Sequence, residues 1–292
     1  MEKKLRICNL YPDKNTVGRN DGNPLYLTHT LRKMGHEVQH ILPTGNLYSY
    51  GKFDLYLWCD WGEDALNWPK IKCPKPNAYW TSDTHLGYDY RLEKAHEFDY
   101  VFCAQRKAVD DFIKAGLKNV FWLPHAVCPD AYKPIDAIKK YDVCFVGHIN
   151  SYNRAKILDC LFKKFPNFFF GQRLFEDAAE IFCRSKVVFN SAIKDDLNMR
   201  VFEVLATRSL LLTEAVPTLD ILFKNGVHLV TYKNSEEMLE KAGYYIKHPE
   251  EAGKIAQAGY DEVMKNHTFR NRADYILEKT GLKETVESLQ EA

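Results

Sequence analysis

Within the stretch NMRVFEVLATRSLLLTEA, Asn198 to Ala215, three polar side chains interrupt an apolar run. Arg200, Glu203 and Thr207 fall at i, i+3 and i+7 of a helical reading, on one stripe. Their neighbours Met199, Val201, Phe202, Val204, Leu205 and Ala206 are apolar, and SLLLTEA reads as the strand that follows. As a stability device the charge pair is poor. An i,i+3 ion pair contributes only about 0.2–0.5 kcal/mol, and acid before base is the favoured order. Here the base leads, in a first turn where the helix dipole is already positive. The arrangement makes sense for an incoming anion. Free N–H groups and a guanidinium can grip a diphosphate. A carboxylate one turn deeper can accept from the adjacent hydroxyls of a ribose. The competing reading is an idle surface pair or a buried structural one.

Such a helix needs strands to hold it. The chain alternates short apolar runs with helical patterns, the mark of a parallel α/β fold. Strands are expected at 4–11, 36–42, 53–58, 77–82, 99–104 and 119–123, with helices at PLYLTHTLRKM and AVDDFIKAG. Gly35 and Gly116 close those helices. Pro124, Pro129 and Pro134 then cluster in a polar stretch, which places a linker at about 125–140. A second alternating series follows, with strands at 141–147, NFFFG, 186–190 and 227–232, and a tail that is helical in three pieces. Ligands in such folds bind beyond the carboxyl ends of the strands, and with two domains the expected pocket is the cleft between them.

Composition narrows the function. The 292 residues carry a net charge of +1, so no basic field advertises nucleic acid. No apolar run nears the roughly 20 residues of a spanning helix, and the chain is read as cytoplasmic. None of the eight cysteines forms C-x-x-C, which points to buried reduced thiols rather than zinc or disulfides. No G-x-G-x-x-G or G-x-S-x-G occurs, and GNLYSYGK has one residue too many for a P-loop. No D-x-D offers paired aspartates for a metal-bridged diphosphate.

The residues of the second half carry a resemblance. YDVCFVGHINSYNRAKIL, SKVVFNSA, NMRVFEVLATRSLLLTEA and the segment from LFKNGVHLVTY to KNHTF resemble, in order and spacing from about 141 to 277, the GT-B glycosyltransferases. The likeness is nearest to the group related to spore maturation protein CgeB. The first half matches more loosely, through GHEV and FWLPHAVCPDAY. The resemblance implies an α/β GT-B fold of two Rossmann-like domains with parallel sheets facing a cleft, and a last helix crossing back to the first domain. It implies a nucleotide-sugar donor, with a UDP-sugar expected, and neither metal nor further cofactor. Carried over, Arg200 contacts the diphosphate, Glu203 the ribose, and Asn198 and Met199 form the helix start. Relatives carry an acid eight residues before that glutamate, on the donor sugar. Asp195 stands there, with Asp196 beside it. Gly147 and His148 end a strand where a small residue admits the donor to the backbone. Asn190 and Ser191 end another, and Arg154 adds charge to the phosphates or stays solvated. For each of these strand-end residues a plain turn role is the alternative.

The acceptor side must come from the first half. WTSDTHLGYDYR follows a strand, so Asp83 and His85 lie at a carboxyl end. One serves as base and the other as binder, unless Asp83 caps the next helix. A second candidate is the loop YPDKNTVGRNDGNP, where Gly18 allows close approach and Arg19 and Asp21 could meet phosphate and acceptor. The alternative is a lid with no catalytic group. His125 reads as a hinge residue, and Arg270 and Arg272 as structural.

The expected domains are 1–135 with a returning helix at about 268–292, and 136–267. The expected function is metal-independent transfer of a sugar from a nucleotide-sugar to an acceptor hydroxyl. A nucleotide-sugar epimerase or hydrolase, or a non-catalytic nucleotide-binding subunit, are the alternatives. The acceptor is left open among protein, glycan, small molecule and modified nucleic acid base.

Overall fold

The computed structural model describes residues 3–11, 22–43, 46–60, 71–149, 151–192 and 196–283. The chain divides into two compact units, Met1–Pro124 with Phe269–Ala292, and His125–Thr268.

The first unit runs β1 (Arg6–Leu10), α1 (Asn23–Lys33), β2 (Glu37–Ile41), a 3-10 turn (Leu47–Tyr50), β3 (Leu55–Cys59) and β4 (Asn77–Thr81). A second 3-10 turn (Thr84–Leu86), α2 (Tyr88–Ala95), β5 (Tyr100–Cys103), α3 (Arg106–Lys114) and β6 (Val120–Trp122) follow. The strands form one parallel sheet in the order β2-β1-β3-β4-β5-β6. Central strands LYLWC and NAYWT are buried at every position. Their continuous, non-alternating apolar character is what a sheet covered on both faces requires.

The second unit runs β7 (Tyr141–Val146), α4 (Tyr152–Lys164), β8 (Phe168–Gly171), α5 (Phe175–Cys183), β9 (Ser185–Asn190) and α6 (Met199–Ala206). It continues with β10 (Leu211–Glu214), α7 (Leu219–Leu222), β11 (Val230–Tyr232), α8 (Ser235–Lys247) and α9 (Pro249–Asn266). Its parallel order β11-β10-β9-β7-β8 is the winding of the first sheet read from the other edge. Each sheet therefore reverses direction beside its first strand, between β1 and β3 and between β7 and β9. Such reversal points open a crevice at the strand carboxyl ends. The last described helix, α10 (Phe269–Lys279), belongs to the first unit. There Phe269 packs on Tyr26 and Trp80.

The three helical tail pieces are α8, α9 and α10, as the pattern predicts. The boundary between units falls at Pro124/His125, eleven residues before the expected 135/136. The reason is local bonding of the linker to the second unit. Val127 N–H donates to His267 O at 3.0 Å, and Ile135 N–H lies 3.3 Å from Cys183 Sγ. Helix α2, hidden in the sequence behind the polar run of WTSDTHLGYDYR, starts right after Gly87 with Asp89 in its first turn. All eight cysteines are free thiols, seven of them buried. Among the described residues no helix is long and apolar enough to cross a membrane.

Candidate active site

Helix α6 is held from behind. Val201, Phe202, Val204, Leu205 and Ala206 are all buried, and the Phe202 ring packs on Phe223 and His267. Helix α9 lies close against it. A Cβ at Gly259 would stand 2.2 Å from His228 O and 2.8 Å from Leu205 Cδ2, so only glycine permits this approach. Thr207 turns inward and donates to Val204 O at 2.7 Å, closing the helix rather than extending a polar stripe.

At the front of α6, Arg200 Nη1 donates to Glu203 Oε2 at 2.6 Å. The guanidinium also lies over the Phe182 ring, 5.2 Å from its centre. The two side chains are 20% and 7% exposed. Here the base and the acid hold each other, so a ligand for either must trade places with the partner. Asn198 takes the N-cap position, but its side chain makes no cap bond and its Oδ1 is buried without a partner among the described residues. A helix start without a side-chain acceptor is suited to an external anion. Met199 opens the helix, half-buried.

The other strand ends of this unit form a second cluster. Arg154, on α4, is buried. Its Nη1 donates to His148 O and its Nη2 to Ser191 O, both at 3.0 Å. One guanidinium thus ties the loop after β7 to the loop after β9, across the reversal point of the sheet. Burial lowers its pKa from the ordinary value, opposed by Tyr232 and Glu214. Arg154 is neither solvated nor loose, and its fork is spent on carbonyls. Gly147 N–H donates to Gly171 O at 3.0 Å, while a Cβ there would press within 3.1 Å of the Phe145 ring. His148 is exposed. Asn190 Nδ2 donates to Thr213 Oγ1 at 3.0 Å, and Asn190 O accepts from Tyr232 at 3.2 Å. Glu214 accepts from Ala192 N–H at 3.1 Å and from Ser191 Oγ at 3.4 Å. Burial, then the Glu214 charge, raises the Tyr232 hydroxyl well above its ordinary range, so it stays a neutral donor.

Glu214 and Tyr232 are absent from the sequence-based site. Both end strands, at SLLLTE and VHLVTY, and the rule that sites gather at carboxyl ends would have found them.

In the first unit, Asp83 has φ 54° and ψ 31°, a left-handed conformation that costs a non-glycine residue energy. Its side chain makes no cap bond to the turn it precedes, which removes the capping alternative. His85 Nδ1 is buried with no partner among the described residues. Thr84 anchors the turn through its N–H and Oγ1, both donating to Gln105 Oε1 at 3.2 and 3.1 Å. His125 is buried. Arg270 makes a helical pair with Asp274, and buried Arg272 donates to Pro124 O at 2.8 Å. Gly18, Arg19, Asp21 and Asp195 lie outside the described residues.

Two doubly wound parallel sheets, each with polar groups at its strand ends, define the GT-B class of α/β fold. A glycosyl transferase-like family model matches residues 132–278, half of the 292-residue chain, and the chain belongs to that family. No curated protein sequence matches it. Among solved structures it is similar to HepE of Anabaena in complex with UDP and glucose, at 14% identity and a TM-score of 0.69, covering 95% of this chain and 99% of that one. It is similar to sucrose-phosphate synthase of Thermosynechococcus elongatus, at 9% identity and a TM-score of 0.64, covering 94% and 97%. It is also similar to the DNA-modifying β-glucosyltransferase studied with and without uridine diphosphoglucose, at 14% identity and a TM-score of 0.65, covering 94% and 99%. At these identities the likeness is one of fold.

Proposed function

We propose that this chain transfers a sugar from a UDP-sugar to an acceptor hydroxyl without a metal ion, and that it sits within the CgeB-related group of the family. The observation that carries the reading is the Arg200–Glu203 pair at the uncapped start of α6, inside the family match. HepE bound to UDP and glucose, and β-glucosyltransferase with its UDP-glucose, support the choice of donor.

In this reading the donor displaces one contact with two. Arg200 swings from Glu203 to the diphosphate, and Glu203 accepts from the ribose hydroxyls that replace the guanidinium. Neither charge is left without a partner before or after binding. As the sugar leaves, the bond from its anomeric carbon to the diphosphate oxygen breaks and the bond to the acceptor oxygen forms. Negative charge grows on UDP, where Arg200 and the N–H groups of α6 oppose it. The acceptor hydroxyl gives its proton to Asp83 or His85, one acting as base and the other as binder. Arg154, Ser191 and Glu214 hold the strand-end loops that carry Gly147, His148 and Asn190 toward the donor, and Asp195 is assigned to the donor sugar. A thermal-shift panel of UDP-, GDP-, TDP- and CMP-sugars tests the reading. Stabilisation by UDP-glucose or another UDP-sugar alone is expected. No shift with any of them would remove the donor site.

A further inference from the structure

Asp60 directly follows β3 at LYLWCD, and no spacing or motif points to it. Its carboxylate is sealed, and Arg91 Nε of α2 donates to its Oδ2 at 2.6 Å. Tyr79 OH and Thr81 Oγ1, both on β4, donate to the same oxygen at 3.2 and 3.1 Å. Three donors crowd one oxygen, while Oδ1 is buried without a partner among the described residues. As a stabilising device this is a bad bargain, because a buried ion pair rarely outperforms apolar packing and an unsatisfied buried oxygen adds cost.

The far end of Arg91 explains the expense. Its Nη1 donates to Gly87 O at 3.1 Å. Gly87 leaves that space open, since a Cβ there would stand 2.6 Å from Nη1. One guanidinium therefore links the end of β3 to the end of the Ser82–Gly87 loop. The middle of that loop is tied to Gln105 through Thr84. Between these two anchors sit Asp83, in its left-handed conformation, and His85. A loop with a strained residue keeps its shape only when surrounding bonds over-determine it.

We propose that the buried Asp60–Arg91 pair is a positioning element that fixes the Ser82–Gly87 loop and so presents Asp83 and His85 to the acceptor in one geometry. The proposal rests on the assignment of Asp83 and His85 to the acceptor side. Neither Asp60 nor Arg91 touches substrate in this scheme. The groups facing Asp60 are Arg91 and Tyr90 on α2, Tyr79 and Thr81 on β4, Cys59 on β3 and Asp83 in the loop. Burial outweighs Arg91 and lifts the Asp60 carboxyl from 3.8 to about 6.

The test uses the full chain and two substitutions that disturb the link differently. Arg91→Lys keeps the charge and loses the fork. Gly87→Ala keeps both charges and pushes the guanidinium off Gly87 O. Hydrogen exchange of the Thr84, Leu86 and Gly87 amides, corrected for intrinsic rate, reads the loop directly. Both variants are expected to lose at least tenfold in protection there, with the amides of β7 and β9 within twofold of wild type. In Asp60→Asn, which removes the charge that holds Arg91, the same protection should also be low. UDP release from UDP-glucose, with water as acceptor, should lose at least tenfold in kcat with KM within twofold. Unchanged loop protection in a folded Gly87→Ala or Arg91→Lys protein would overturn the proposal. If wild type fails to bind UDP-glucose, the donor reading falls, and hydrogen exchange still decides for or against the link.

Discussion

Two arginine–carboxylate pairs of this molecule share an N···O distance of 2.6 Å and share little else. In the second unit Arg200 and Glu203 are 20% and 7% exposed, at a helix start with no side-chain cap. In the first unit Arg91 and Asp60 are 2% and 0% exposed, under α2 and between two strand ends. Bond length does not separate them, but access to water does. A pair that solvent and ligand can reach is able to exchange partners at modest cost. A sealed pair can only hold its neighbours in place, since breaking it leaves a charge with nowhere to go. In the proposed function the open pair binds and the closed pair positions, and each role can be broken by experiment.

The largest effect should come from the closed pair. Arg91→Met strands the Asp60 carboxylate, and a loss of about 3–5 kcal/mol in unfolding free energy is expected by urea denaturation. Replacing both partners, as Asp60→Leu with Arg91→Met, should recover most of that loss, because the apolar pair needs no solvation. If the single variant costs no more than a surface substitution, the pair is not sealed as described.

The same carboxyl sets a pH dependence of slightly smaller size. Its folded value is raised from 3.8 to about 6, so the folded state binds the extra proton between those limits. Stability from this group is therefore present at low pH and lost as pH rises from about 4 to about 6. Two units amount to about 3 kcal/mol. The wild-type curve minus that of Asp60→Asn isolates the effect from other carboxylates. A difference that grows with pH in this window, rather than shrinking, would show that Arg91 dominates burial.

The open pair was legible in the sequence and the closed one was not, for a physical reason. Arg200 and Glu203 are three residues apart on one helix, so periodicity alone brings them together. Asp60 and Arg91 are 31 positions apart, and their meeting depends on how β3, β4 and α2 pack. The strands were readable because fully buried runs such as LYLWC and NAYWT stand out from polar surroundings. Helix α2 was hidden because its YDYRLEKA pattern buries only Arg91 and Ala95. The boundary between units moved for a similar reason. The prolines mark where the chain is irregular, while the Val127 and Ile135 contacts decide which unit claims it. Arg154 looked like a helix-start arginine open to solvent, and its role across the reversal point emerged only from the fold.

For the open pair, Arg200→Ala should weaken UDP binding by about 1–3 kcal/mol, the scale of a hydrogen bond to a charged group. Isothermal titration with UDP checks it. The same substitution should cost the fold less than Arg91→Met, because Arg200 is 20% exposed where Arg91 is 2%. Unchanged UDP affinity in a folded variant would return the pair to a structural role.

The smallest effect is also the most discriminating. Glu203→Gln keeps an acceptor beside Arg200 and removes the charge that favours ribose hydroxyls. A loss of about 0.5–1.5 kcal/mol in UDP affinity is expected. The partner of that carboxylate is identified by repeating the titration with 2′,3′-dideoxy-UDP, which lacks the diol. If Glu203 holds the ribose, wild type should prefer UDP over the dideoxy compound, and Glu203→Gln should erase most of the preference. If the carboxylate acts only by orienting Arg200, the variant should weaken both nucleotides equally and leave the preference intact. That outcome would keep the open pair as an exchangeable anion site while taking the sugar from it.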